Sequence, residues 1–271
     1  MREACFLFWA ICLVACASDP NPDALRRLRS GEVKVLGHAG NGTRSLHPAN
    51  GISGILCTLA NGADGVEVDV RLTLDDTLVL YHDSELGSAS HCEGTVESSL
   101  WTDIRHCEHR ALMADDTLLT LQRLINYTSL KGRVLSLDVK FQGQPDQLAR
   151  ERMVAAIAHA LEQRTNGENL IESQDRAFLT LCARKGIRAK RLLYTGLADE
   201  AAEGLRLDSI DGVSIEMGLV KVENMSLWRN EGVYVMLWGA TTRQRNTEAL
   251  NLLPDAIQSD RPRHLCGLKD N

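Results

Sequence analysis

Short aliphatic and β-branched runs recur along the chain, separated by longer stretches whose apolar positions return every three or four residues. The short runs read as buried strands and the longer ones as amphipathic helices. Strands are expected at Lys34–Gly37, Gly65–Val70, Arg133–Val139, Asn169–Glu172, Arg191–Tyr194, Gly212–Ile215, Val233–Leu237 and Asp255–Gln258. Helices between them include Gly51–Asn61, Thr117–Thr128, Pro145–Gln163 and Gln174–Lys185. A further run, Leu78–His82, follows Val70 too closely for a parallel crossover, so it reads as an antiparallel hairpin arm off the second strand. Setting it aside leaves eight strands in βα alternation with no repeat or linker to divide them. The expected fold is α/β: a single (β/α)8 TIM barrel with an antiparallel hairpin insertion after the second strand.

Within the strands, period-two alternation sorts the chemistry. In Val66-Glu67-Val68-Asp69-Val70 the valines share one face and the two carboxylates the other. A barrel's outer face is covered by helices and takes the valines, so Glu67 and Asp69 are expected to point inward, near the C-terminal mouth where barrel enzymes keep their sites. Leu135-Ser136-Leu137-Asp138-Val139-Lys140 repeats the arrangement and turns Ser136, Asp138 and Lys140 inward. The run from Val233 to Trp238 does so again, with Trp238 at the mouth.

Glu67, Asp69 and Asp138 brought together would repel one another unless a cation sat among them, and an all-oxygen ligand set selects Mg2+ or Ca2+ rather than zinc. His38 ends the first strand and His82 the hairpin arm. Two imidazoles at one metal-bearing mouth suit general acid and general base roles, because the ring titrates near neutral pH. Lys140 can supply positive charge to a phosphate oxygen.

Composition adds limits. The 271 residues are 44% hydrophobic, enough for a substantial core, which excludes disordered and low-complexity classes. A net charge of -6 and 4% aromatic residues exclude a broad nucleic-acid-binding surface. From Ala4 to Ala17 the chain is uncharged but far short of the roughly 20 apolar residues a membrane-spanning helix needs. It reads as the apolar part of an export signal. Its end, Leu13-Val14-Ala15-Cys16, resembles the bacterial lipoprotein signal. That resemblance implies removal of residues 1–15, lipidation at Cys16, a lipidated tether over 16–30 and a barrel domain over 31–271. Ala17 after the cysteine fits retention at the periplasmic face of the outer membrane, with a secreted soluble product as the alternative. Cys92 and Cys107 flank a polar loop and read as a disulfide. A zinc site is the competing reading, since His91, His106 and His109 crowd the same loop without the usual ligand spacing. Cys57 and Cys182 lie among apolar residues and read as buried thiols.

Several motifs in order resemble the glycerophosphodiester phosphodiesterases. His38-Ala39-Gly40 stands where that family has His-Arg-Gly, and Pro48-Ala49-Asn50-Gly51 stands where it has Pro-Glu-Asn-Thr. Gly62-Ala63-Asp64-Gly65-Val66-Glu67-Val68-Asp69-Val70 and Leu80-Tyr81-His82-Asp83 follow its most specific block. Later come Asp138-Val139-Lys140 for its Glu-x-Lys strand, Trp238 in a Trp-containing strand, and Ser259-Asp260-Arg261-Pro262 for its closing Thr-Asp-x-Pro.

The resemblance implies a metal-dependent phosphodiesterase that cleaves glycerophosphodiesters to an alcohol and glycerol 3-phosphate. It implies a divalent cation held by Glu67, Asp69 and Asp138, and His38 and His82 as the acid/base pair. Lys140 then lies near the phosphate and Trp238 in the substrate pocket. The substrate is expected to be a small-molecule or lipid-headgroup phosphodiester, with the membrane reached through the lipid anchor. Two departures bear on this. Ala39 removes a phosphate-binding cation whose work falls to Lys140, Arg44, Arg71 or the metal, and Asp138 shortens a ligand by one methylene. The alternatives are a lysophospholipase D-like or sphingomyelinase D-like activity, or a non-catalytic barrel that binds a phosphorylated ligand.

Overall fold

The computed structural model describes residues 19–43, 45–111, 116–196 and 210–270. The expected signal, Cys16 and Arg44 lie outside the described residues. Among the described residues there are ten strands: β1 Lys34–Gly37, β2 Gly65–Leu72, β3 Leu78–Leu80, β4 Leu119–Thr120, β5 Val134–Val139, β6 Asn169–Ser173, β7 Lys190–Thr195, β8 Gly212–Glu216, β9 Tyr234–Ala240 and β10 Ala256–Ser259. Eight of them, β1, β2 and β5 to β10, run parallel and close into a barrel, because β1 pairs with β10 on one side and β2 on the other. β3 returns antiparallel on β2 with Val70 opposite Leu80, and β4 adds antiparallel to β3.

The alternation read from the sequence sets the two faces of the barrel wall. Val66, Val68, Val70, Leu135, Leu137 and Ile171 pack outward against Ile55, Leu59, Met153, Ile157 and Phe178 of the surrounding helices. The inward positions at the N-terminal end form an apolar floor of Leu36, Val134, Leu170, Leu192, Met236 and Ala256. Helix starts are set by side-chain caps: Asp146 accepts from Ala149 N at 2.7 Å before the Gln147–Glu162 helix, and Asp175 accepts from Phe178 N at 3.1 Å before Arg176–Arg184.

Two expectations are corrected. The tether proposed over 16–30 is too long, because Pro22–Arg29 is a helix that belongs to the barrel. Asn21 caps it by accepting from Ala24 N at 2.8 Å, and Ala24 and Leu28 are fully buried with Ala249, Leu250 and Leu265. The helix expected over Thr117–Thr128 shrinks to Leu121–Ile125, because Leu119 and Thr120 are drawn into pairing with Leu80 and Val79.

Between β3 and β4 the chain builds an insertion with its own core of Tyr81, Leu86, Val96, Ile104, Cys107 and Leu118. Cys92 and Cys107 are joined in a disulfide. Their sulfurs and His106 lie within 4.8 Å of one another, but sulfurs bonded to each other are spent as zinc ligands. His109 stacks on Tyr81 at 5.8 Å, and burial pulls its pKa down to about 4, so it serves as a neutral core ring. Cys182 is buried and Cys57 half-buried. Among the described residues no helix is long and apolar enough to cross a membrane.

Candidate active site

One pleat beyond the floor the barrel interior becomes polar. Glu172 sits fully buried on β6, where it accepts from Ser136 Oγ at 2.8 Å and from Gln258 Nε2 at 2.7 Å. Above it, Asp69 of β2 lies opposite Asp138 of β5, which in turn lies opposite Glu172. Glu67, Asp69 and Asp138 each bring a carboxylate oxygen within 4.8 Å of the others. All three are buried.

Each member of this trio is held by a different contact. Glu67 Oε2 accepts from Ala39 N at 2.7 Å, while its Oε1 is buried with no hydrogen-bond partner among the described residues. Asn50 grips Asp69 twice, donating from Nδ2 to Oδ2 at 2.8 Å and accepting from the Asp69 backbone N–H at 3.0 Å. Lys140 Nζ lies 2.5 Å from Asp138 Oδ2 and 3.3 Å from Asp69 Oδ1. Its ammonium also stands 5.7 Å from the centre of the Tyr194 ring, and Tyr194 stacks on Trp238 at 5.3 Å. A cavity of about 200 Å3 beside Lys140 is lined by Arg71, Asp138, Phe141, Ser173 and Tyr194.

The electrostatics are unbalanced without a cation. Two like charges about 4.8 Å apart repel by roughly 3 to 4 kcal/mol at an effective dielectric of about 20. Burial, with Asp69 next, raises the Glu67 carboxyl well above the usual range. Burial and Glu172 raise Asp138 to about 7, although Lys140 opposes them. A divalent cation fits this donor set, since every ligand is oxygen and the buried Glu67 Oε1 has a lone pair with nothing else to bind it.

His38 is delivered by the turn after β1. A Cβ on Gly37 would come within 2.1 Å of Gly40 O, so only glycine permits the chain to fold back this tightly. The next residue, Ala39, adopts a left-handed φ of 45°, which aims its N–H at Glu67. His38 Nδ1 is 2.7 Å from Asp260 Oδ1, and Thr43 Oγ1 donates to Asp260 Oδ2 at 3.1 Å. Burial disfavours the charged ring, but the Asp260 hydrogen bond and the charges of Glu67 and Asp69 outweigh it and raise the His38 pKa to about 9. The same pairing holds Asp260 below the ordinary aspartate value against the opposing effect of its burial.

His82 stands apart from the trio. Its ring is exposed, with Nδ1 2.7 Å from Asp83 Oδ1. Its backbone is tied to the site: Tyr81 N donates to Asp69 O at 3.1 Å, and Arg71 Nε donates to His82 O at 2.9 Å. Arg71 also pairs with Glu97, so its charge is committed to holding this segment.

The structure therefore brings Glu67, Asp69, Asp138 and Lys140 together, sets His38 beside them through Ala39, and places Trp238 on the Tyr194 wall. Sequence reasoning missed Asn50, Glu172 and Asp260 as parts of the site. Glu172 had a signal, since alternation through Leu170-Ile171-Glu172 turns it inward with Leu170.

Comparison with known proteins follows the same line. The sequence profile of the glycerophosphoryl diester phosphodiesterase family matches residues 40–264. A Bacillus subtilis protein, YqiK, is 23% identical over 169 residues, covering 60% of this chain and 67% of its own length. A Mycobacterium tuberculosis protein named "Probable glycerophosphodiester phosphodiesterase 1" is 33% identical over 106 residues, only 36% of this chain and 38% of that protein. Among solved structures, an Oleispira antarctica phosphodiesterase in complex with the product sn-glycerol-3-phosphate superposes with a TM-score of 0.77. It is 21% identical, and the match covers 90% of this chain and 99% of that one, a likeness of fold.

Proposed function

The chain belongs to the glycerophosphoryl diester phosphodiesterase family, and from that premise we propose that it cleaves glycerophosphodiesters to an alcohol and glycerol 3-phosphate in a metal-dependent reaction. The observation that carries the reading is the buried trio of Glu67, Asp69 and Asp138 with an unpartnered carboxylate oxygen, set beside a histidine–aspartate pair. The related barrel bound to glycerol 3-phosphate supports the same class of ligand.

In this reading Glu67, Asp69 and Asp138 hold Mg2+ or Ca2+. The cation, when bound, supplies charge that polarises the phosphoryl oxygens. Asn50 keeps Asp69 turned to its task, and the Ala39 N–H holds one oxygen of Glu67 so that the other stays free. Lys140 takes up negative charge on the phosphate, doing the work of the arginine replaced at Ala39. Trp238 and Tyr194 form the wall against which the glycerol side packs. Asp260 fixes the His38 tautomer, leaving Nε2 as the nitrogen that exchanges a proton. The Asp260 hydrogen bond favours the protonated ring, and in this reading His38 protonates the departing alkoxide. His82, exposed and oriented by Asp83, takes the proton of the nucleophile: either water, which gives glycerol 3-phosphate directly, or the substrate's neighbouring hydroxyl, which gives a cyclic phosphate that water then opens to glycerol 3-phosphate.

Export belongs to the same proposal, with residues 1–15 as a signal and Cys16 lipidated at the periplasmic face of the outer membrane. Its support is the uncharged run from Ala4 to Ala17 and the Cys92–Cys107 disulfide, which suits an oxidising compartment. A Cys16→Ser variant that still fractionates with membranes would count against lipidation there.

The activity is tested by incubating the full chain with glycerophosphocholine and Mg2+ or Ca2+ and resolving the products. Choline and glycerol 3-phosphate are expected. Phosphocholine and glycerol would reassign the bond cleaved, and no turnover on any glycerophosphodiester despite cation binding would make this a phospho-ligand-binding barrel.

A further inference from the structure

Six exposed side chains lie on the loops or first helical turns that follow four adjacent barrel strands, β8, β9, β10 and β1. Leu46 follows β1, Leu219 and Val222 follow β8, Arg243 follows β9, and Arg261 and Arg263 follow β10. The three apolar side chains are 54%, 48% and 65% exposed. Every segment leaving a barrel strand lies at the C-terminal face, so all six border the mouth that holds the acidic trio.

The sector is also locally cationic on a chain whose net charge is -6. None of the three guanidiniums has a hydrogen-bond or ion-pair partner among the described residues. Of the carboxylates nearby, Asp260 is bound to His38 and Glu248 pairs with Arg245 at 3.2 Å, leaving Glu216 and Glu223. A hollow of about 940 Å3 runs between Leu46, Arg243, Arg261 and Arg263 and reaches Asp260.

Large exposed apolar side chains and arginines unpaired among the described residues, on neighbouring segments around the opening of a site, match the two faces of an anionic lipid surface. The apolar groups enter the acyl boundary while the guanidiniums meet the phosphates, which are attractive to them within a Debye length. We propose that this sector docks the barrel mouth onto an anionic lipid bilayer and presents headgroup phosphodiesters to the site. The substrate half of the statement rests on the phosphodiesterase reading above; the docking does not.

The test is co-sedimentation of the full chain with sucrose-loaded vesicles of phosphatidylcholine alone or with phosphatidylglycerol, at fixed ionic strength. The leader is common to every variant, so differences between variants report the sector. Wild type is expected to bind the anionic vesicles at least about ten-fold more tightly than the neutral ones. An Arg243→Gln, Arg261→Gln, Arg263→Gln variant should lose that preference, at about five-fold per arginine. A Leu46→Ser, Leu219→Ser, Val222→Ser variant should bind both kinds of vesicle about ten-fold or more weakly. Both variants should turn over soluble glycerophosphocholine like wild type. Equal binding to the two vesicles, binding that neither variant weakens, or a dimer in vesicle-free solution that the apolar variant dissolves would overturn the docking. Vesicle binding as expected with no turnover of soluble diester would leave the docking standing and remove the phosphodiesterase reading instead.

Discussion

The floor and the mouth of the barrel are made from the same strands and the same inward faces, yet they are built in opposite ways. Leu36, Val134, Leu170, Leu192, Met236 and Ala256 fill the floor. Two residues further on, Leu170 gives way to Glu172 and Ala256 to Gln258, and Val134 gives way first to Ser136 and then to Asp138. The floor gains stability from burial. The mouth buries four carboxylates, Glu67, Asp69, Asp138 and Glu172, against Lys140 and His38, an arrangement that costs stability unless a cation joins it. One pleat of strand thus separates the part of the barrel that holds the fold from the part to which the proposed chemistry is assigned.

That division can be broken by substitution. The largest effect is expected from Glu67→Gln, which keeps an acceptor for Ala39 N but removes a proposed cation ligand: kcat/KM for glycerophosphocholine should fall by about a thousand-fold. Its thermal midpoint without added metal should not fall, because one buried repulsive charge is gone. His38→Ala should cost about 10²- to 10⁴-fold in kcat with the fold intact by circular dichroism. At the floor the pattern should invert. Leu170→Ala should lose about 2–5 kcal/mol in urea denaturation while turnover per folded molecule stays at the wild-type level. If Leu170→Ala instead silences the enzyme at full stability, floor and mouth are not separable in this way.

A smaller effect sharpens the mouth itself. Asp260→Asn should lower kcat by about 10- to 100-fold and move the alkaline limb of the pH profile to lower pH, since His38 loses the partner that holds its proton. The sign for stability follows from the same pairing. The His38 pKa rises from 6.5 to about 9 on folding, so in metal-free protein its contribution is fully present below about pH 6.5 and is lost as pH rises through about 9. Melting temperature against pH should show this decline in wild type and not in His38→Ala.

Much of this contrast was legible in the chain. Alternation in Val66–Val70 and Leu135–Lys140 is enough to put Glu67, Asp69, Asp138 and Lys140 on the inner face, because a barrel wall leaves only two directions for a side chain. What stayed hidden needed closure of the barrel. His38 and Asp260 are 222 residues apart and meet only because β1 pairs with β10. Asn50 reaches Asp69 from a loop residue with a left-handed φ of 62°, which no periodicity marks. The Pro22–Arg29 helix lies inside the expected tether because Asp19-Pro20-Asn21-Pro22 has the composition of a linker, while what ties it to the barrel is long-range: buried Ala24 and Leu28, and Arg27 and Arg29 donating to Leu253 O and Leu268 O.

The acidic trio is proposed to work through a bound cation. The most direct measurement is glycerol 3-phosphate release from glycerophosphocholine by EDTA-stripped protein, followed as Mg2+ or Ca2+ is added back, for wild type and Glu67→Gln in parallel. Turnover should vanish on stripping and return with one of the two cations in wild type but not in the variant. Undiminished turnover in EDTA, or equal restoration of Glu67→Gln, would contradict it.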